Sequence, residues 1–187
     1  MPAPALSDLG PLGALAGTWE GAEGEDVSFH NETRSVVTTP YRERTTFSPF
    51  GPVDNGEQHL YGLDYRMAAW RGGEEDPFHT EVGYWLWDGA ASQVMHCFMV
   101  PRGSTLIAGA TVAADATTFT LRAEVGSETY GILSNQYLAV AARTILYDVT
   151  ITVEGDTFSY DETTTVELRA TGGTLAHTDR NVLRRVV

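Results

Sequence analysis

The chain has 187 residues, a formal charge of −13 and a lone cysteine, Cys97. That length suits one buried core; the negative charge argues against nucleic acid and anionic membrane surfaces, which attract Lys/Arg clusters; and one cysteine excludes an internal disulfide and any Cys-pair zinc site. No apolar run approaches the roughly 20 residues of a membrane span, and no basic start followed by a hydrophobic stretch marks a secretory signal, so the chain reads as cytoplasmic.

Residues 1–11 hold prolines and no periodic pattern and read as a loose N-terminal arm, which leaves 12–187 as one domain. Short extended segments fit at 17–21, 34–39, 42–48, 59–69, 78–87, 93–100 and 105–112. Between them stand turn signals: Phe50-Gly51-Pro52, Asp54-Asn55-Gly56, Arg71-Gly72-Gly73 and Asp88-Gly89. Over 118–125 the alternation is clear, with Phe119, Leu121, Ala123 and Val125 set against Thr118, Thr120, Arg122 and Glu124. The stretch 135–142 is the one candidate helical turn, with Asn135 as its cap. From Ile145 to Val153 the odd positions are apolar or aromatic. The turn Glu154-Gly155-Asp156 follows, and alternation resumes with Phe158, Tyr160, Val166 and Leu168 on one face, which makes a hairpin. A last segment runs over 174–186 after Gly172-Gly173.

Period-two alternation with short connections predicts an all-β protein: an antiparallel up-and-down barrel of about ten strands. Closure removes the exposed edges that a chain without disulfides must otherwise protect. A barrel of this size is wider than one filled by its own side chains, so it leaves an interior pocket. The inward faces carry Tyr, Phe, Trp and Met with few charges, so the pocket is expected to be mostly apolar.

Gly17-Thr18-Trp19-Glu20-Gly21 resembles the opening G-x-W-x-G-x-G motif of the nitrobindins, small haem-binding β-barrels shaped like fatty-acid-binding proteins; Glu23 stands at the last glycine, with Gly24 one place later. His79-Thr80-Glu81-Val82-Gly83-Tyr84 is similar to that family's H-x-E-x-G-[FY] strand, and Gly155 to Tyr160 to its G-[DK]-L-x-Y strand. Leu175-Ala176-His177-Thr178 resembles L-x-x-H-[LT] with the leucine–histidine spacing one residue shorter. Val94 to Gly103 departs from the family strand, and its Pro101-Arg102-Gly103 reads as a tight bend.

The resemblance implies a haem b cofactor whose iron is held by His177, with nitric oxide binding and isomerisation of peroxynitrite to nitrate. A neutral imidazole between apolar walls is the chemistry such an iron needs. His79 and His96 lie in strands at positions that could face the pocket, as core or rim histidines with a hydrogen-bonded partner, or as a distal group or second iron ligand. Met95, Cys97 and Met99 form one face of that segment and Val94, His96 and Phe98 the other; both are apolar, so parity leaves the direction of His96 open. His30 and His59 stand among polar neighbours and read as exposed, as do Glu74, Glu75 and Asp76. Trp19 is expected to pack across the barrel floor, where Gly21 allows close backbone approach.

The alternative is a non-enzymatic carrier of a fatty acid or similar amphiphile, with Arg66, Arg102, Arg122 or Arg143 to grasp its carboxylate. A third reading is a filled barrel that serves as a structural or partner-binding domain.

Overall fold

The computed structural model describes residues 3–186. Eleven strands follow one another as β1 (Gly17–His30), β2 (Ser35–Asn55), β3 (Gln58–Arg71), β4 (His79–Asp88), β5 (Gln93–Val100), β6 (Ser104–Thr111), β7 (Thr118–Val125), β8 (Gly131–Ser134), β9 (Ala142–Glu154), β10 (Thr157–Leu168) and β11 (Gly173–Val186). They close into one barrel in the order β1-β11-β10-β9-β7-β8-β6-β5-β4-β3-β2. Neighbours pair antiparallel except β7 and β8, which run parallel.

Two details differ from the sequence expectation. Segments 34–39 and 42–48 are one strand, β2, running through Pro40. Proline lacks the ladder N–H, and it is accommodated beside a register shift in β1 between Gly21 and Gly24. That shift falls where the glycine motif departs from its family pattern. The added strand, β8, has four residues and wedges between β6 and β7, which touch directly through Gly109 and Arg122. It is too short for alternation to register.

The alternation expected for β7, β9 and β10 is realised. Phe119, Leu121, Ala123, Tyr147, Val149, Ile151, Val153 and Phe158 are buried, while Thr118 meets Thr152 and Thr120 meets Thr150 on the outside. The helical turn is α1 (Leu138–Ala141), capped as expected by Asn135 Oδ1, which accepts from the Leu138 N–H at 2.9 Å.

Residues 6 to 11 are not a loose arm. Leu6–Leu15 forms a kinked 3-10 segment that packs on β3 and β4, with Leu9, Leu12 and Leu15 fully buried. The kink is at Gly10, φ 54°, where a Cβ would lie 2.4 Å from the Trp87 ring; glycine meets both demands. Burying three leucines outweighs what the prolines suggest about order. Trp19 is fully buried against this plug, and its Nε1 donates to the Leu15 carbonyl at 2.7 Å. It meets Phe158 edge-on at 5.8 Å, and Arg185 covers its ring. At Gly21 a Cβ would lie 2.5 Å from the Val182 carbonyl oxygen of β11. One end of the barrel is thus a packed floor.

Candidate binding cavity

Above the floor lies a cavity of about 640 Å3. Its mouth is the end of the barrel formed by the β1–β2, β3–β4, β5–β6 and β10–β11 connections together with α1. His30, Asn31, Glu32, Arg71, Arg102 and Leu138 line this rim. His30 is half-buried there rather than exposed; His59 is exposed and paired with Asp54. One wall is apolar, with Val100, Leu106, Ile132, Val166, Leu168 and Leu175, and aromatic rings of Phe47, Tyr65, Trp85, Phe98 and Phe158 stand deeper.

The expectation of few interior charges does not hold: Asp26, Glu43, Glu81, Glu162 and Asp179 all line the cavity. Strand registry brings three of them together. Glu162 of β10 is opposite Asp179 of β11, and Asp179 is opposite Asp26 of β1. Like charges directly opposite on neighbouring strands repel, and His177, two residues before Asp179 on the same face, lies among them. Its Nε2 is 2.7 Å from Asp26 Oδ1 and 2.9 Å from Asp179 Oδ2. Burial disfavours a charged ring, but hydrogen bonds to Asp179 and Asp26 and their charges raise the His177 pKa to about 10. Burial likewise opposes the Asp26 charge, yet His177 and the Ser28 hydroxyl at 2.8 Å hold its carboxyl below the ordinary range. Glu162 has no hydrogen-bonded cation: burial, then the charges of Glu81 and Asp179, push it up to about 8 against the opposing charge of His177. Tyr147 donates to it at 2.9 Å.

Across the cavity, Glu43 accepts from Thr45 at 2.6 Å, Tyr160 at 2.7 Å and Asn181 at 2.9 Å, so its buried oxygens are satisfied within the protein. Glu81 accepts from Tyr65 at 2.7 Å and faces His79 Nε2 at 3.1 Å. Burial opposes the His79 charge, but the Glu81 hydrogen bond and charge raise its pKa.

His96 faces inward, which parity had left open, and is 3% exposed. Its ring stacks between Trp85 and Phe98, at 3.9 and 4.5 Å, and neither nitrogen has a hydrogen-bond partner. Burial, opposed only by the charge of Glu81, pulls its pKa down to about 3, so the ring is neutral at pH 7. The structure therefore brings His79, His96 and His177 to one cavity, which the sequence had left open for His79 and His96; His79 and His177 face carboxylates and His96 has no partner.

A closed, mostly antiparallel barrel with a packed floor and a lined cavity is the architecture of a small-molecule-binding barrel. This chain belongs to the family of THAP4-like, heme-binding beta-barrel domains, whose model matches residues 8–185. Rv2717c from M. tuberculosis has a similar structure, with a TM-score of 0.66 and 22% identity over 99% of each chain. At that identity the likeness speaks to fold. No curated protein matches the chain. The nitrobindin-like resemblance read from the sequence is borne out at the level of family and barrel.

The residues present fit a porphyrin body, and His177 could offer its iron only the ring nitrogen that the carboxylates leave free. The volume lies within the range of cofactor pockets, about 300–1,000 Å3, and the apolar wall suits a flat ring. Ligation needs an imidazole nitrogen with a free lone pair. His177 Nε2 lies between two carboxylates and His79 Nε2 faces Glu81, which leaves Nδ1 of each ring as the nitrogen that could ligate, while the His96 nitrogens are sealed in its stack.

Proposed function

We propose that the barrel binds one small molecule with an apolar body in the 640 Å3 cavity, and that haem b is the first occupant to test. The observation that carries this reading is the cavity itself: floored at one end, open at the other, and walled on one side by aliphatic and aromatic side chains. Haem is favoured by the family and by Arg71 and Arg102 at the rim, which suit the two propionates. His177 is the candidate iron ligand and His79 and His96 its candidate neighbours.

Iron held by His177, nitric oxide binding and peroxynitrite isomerisation all depend on a neutral imidazole there. The clamp of Asp26 and Asp179 works against that state. The fatty-acid alternative finds little support in the depth of the cavity: Arg122 and Arg143 pair with Asp148 and Glu167 on the exterior, and the deep polar groups are mostly acids.

The test is hemin titration of the purified protein, followed by absorbance from pH 6 to pH 10. Hemin uptake is expected, with a histidine-ligated Soret band that grows as pH rises toward the His177 pKa of about 10. His177→Ala is expected to abolish that growth, while His79→Ala and His96→Ala retain it. Absence of saturable uptake at any pH would remove haem as the occupant. A full histidine-ligated band at pH 6 would show that the iron displaces the clamp without difficulty.

A further inference from the structure

We infer that the outer face of β4, β5, β6 and β8 is an interface, and that its occupant is a second copy of this chain, related to the first by a two-fold axis that crosses the strands.

On β4, β5 and β6 the residues that alternate with buried Trp85, His96, Phe98 and Leu106 point out of the barrel. From Thr80 to Leu86, from Gln93 to Met99 and from Thr105 to Thr111, none of these outward positions is charged, in a chain of which 20% is charged. Elsewhere the exterior is laced with ion pairs such as Glu20–Arg44, Glu25–Arg180 and Arg122–Asp148. Strand pairing sorts the uncharged face into two rows. Tyr84, Cys97 and Ile107 face one another across β4, β5 and β6. One step along, Val82, Met99, Thr105 and Leu133 do the same and end on β8. Tyr84, Met99 and Leu133 are 51, 53 and 71% exposed. With Val82 and Ile107 they offer roughly 500 Å2 of largely apolar surface in one block, the size at which an exposed patch marks an interaction site.

The flanking strand says what fits this face. β3 continues both rows with charge: Asp64 is opposite Tyr84, and Arg66 is opposite Val82. Both are exposed, and neither is in an ion pair among the described residues. A two-fold axis lying across the strands, between the rows, sets the Tyr84 row of one copy on the Val82 row of the other. The same operation sets Asp64 against the partner's Arg66, twice over. One surface thus carries both halves of its own complement, as an isologous interface requires. Adding the charged rim brings the face near the roughly 800 Å2 per partner of a stable complex. A membrane surface fits less well, because it favours Lys and Arg around such a patch, whereas this chain carries a charge of −13.

Sedimentation velocity of the full chain, from micromolar to submillimolar concentration, tests the proposal. The expected species is about 40 kDa, a two-fold pair of chains of 20.3 kDa. Ile107→Lys should weaken self-association at least tenfold; it lowers the net negative charge, so long-range repulsion is not the cause. Val182→Lys, at a 37% exposed position on β11, should leave self-association unchanged. Arg66→Asp should weaken the pair, and adding Asp64→Arg to it should restore the pair, because the exchanged charges still meet across the axis. Circular dichroism checks that each variant folds. A monomer throughout the series, a dimer that tolerates Ile107→Lys, or a charge exchange that fails to rescue would each overturn the proposal. In the first case, co-sedimentation of the monomer with phosphatidylcholine vesicles would give the face to a membrane instead.

Discussion

His96 lies flat against Trp85, their ring centroids 3.9 Å apart and their planes within 18°, and neither imidazole nitrogen meets a hydrogen-bond partner. A buried polar atom without a partner costs stability, and replacing it with an apolar group of the same shape removes that cost. His96→Phe keeps the stack between Trp85 and Phe98 and should leave unfolding free energy unchanged or raised, within about 1 kcal/mol after slight overpacking. Urea denaturation at pH 7 measures this. A loss well beyond that range would mean that the imidazole makes a polar contact in solution.

Stability should be level between about pH 4.5 and 6.5, where the Glu162 and His96 contributions oppose each other, and fall on either side. His177 ordinarily titrates at 6.5 and in the fold at about 10, so the stability it supplies is complete below 6.5 and is lost as pH rises toward 10. Glu162, raised from 4.5 to about 8, adds to the same alkaline loss, beginning at 4.5. His96 has the opposite sign: its pKa drops from 6.5 to about 3, so the unfolded chain takes up a proton first and acidification below 6.5 destabilises the fold. Denaturation midpoints from pH 4 to pH 10 should trace both limbs. Glu162→Gln should flatten the alkaline limb and His96→Phe the acid one, and unchanged limbs in these variants would refute the assignment.

Trp19→Ala should cost about 3–5 kcal/mol, the usual range for a buried aromatic. The ring is fully buried, and its indole N–H bonds the plug at Leu15. The same variant should raise amide exchange in residues 9–15, because the plug loses the surface it packs on. A thermal midpoint unchanged within error would mean that the plug and Trp19 do not share one core.

Much of the barrel was legible because apolar alternation is a direct record of burial. Ile145 to Val153 and Phe119 to Val125 read correctly on parity alone. The plug was not legible, because Leu9, Leu12 and Leu15 follow 3-10 rather than strand spacing and lie among prolines and glycines that suggest a loop. The acids were legible in principle. Glu162 shares parity with Phe158 and Tyr160, and Glu81 with Trp85 and Trp87, so both fall on inward faces; reading only the apolar members of each face hid them. The meeting of Asp26 with Asp179 and His177 was beyond reach, since it depends on first strand pairing with last and on the register shift before Glu25. His177 as a cavity residue was readable from motif position, but its protonation depends on Asp26, 151 residues away, as well as on Asp179 beside it.

The plug at Leu6–Leu15 also bears on kinetics. With that end packed by three leucines and Trp19, and the wall closed all round by paired strands, a bound molecule enters and leaves through one door. Exchange then runs past α1 and the 101–103 and 169–172 turns that ring the mouth, and any change that narrows this opening should slow entry and release together, even where affinity is unaltered.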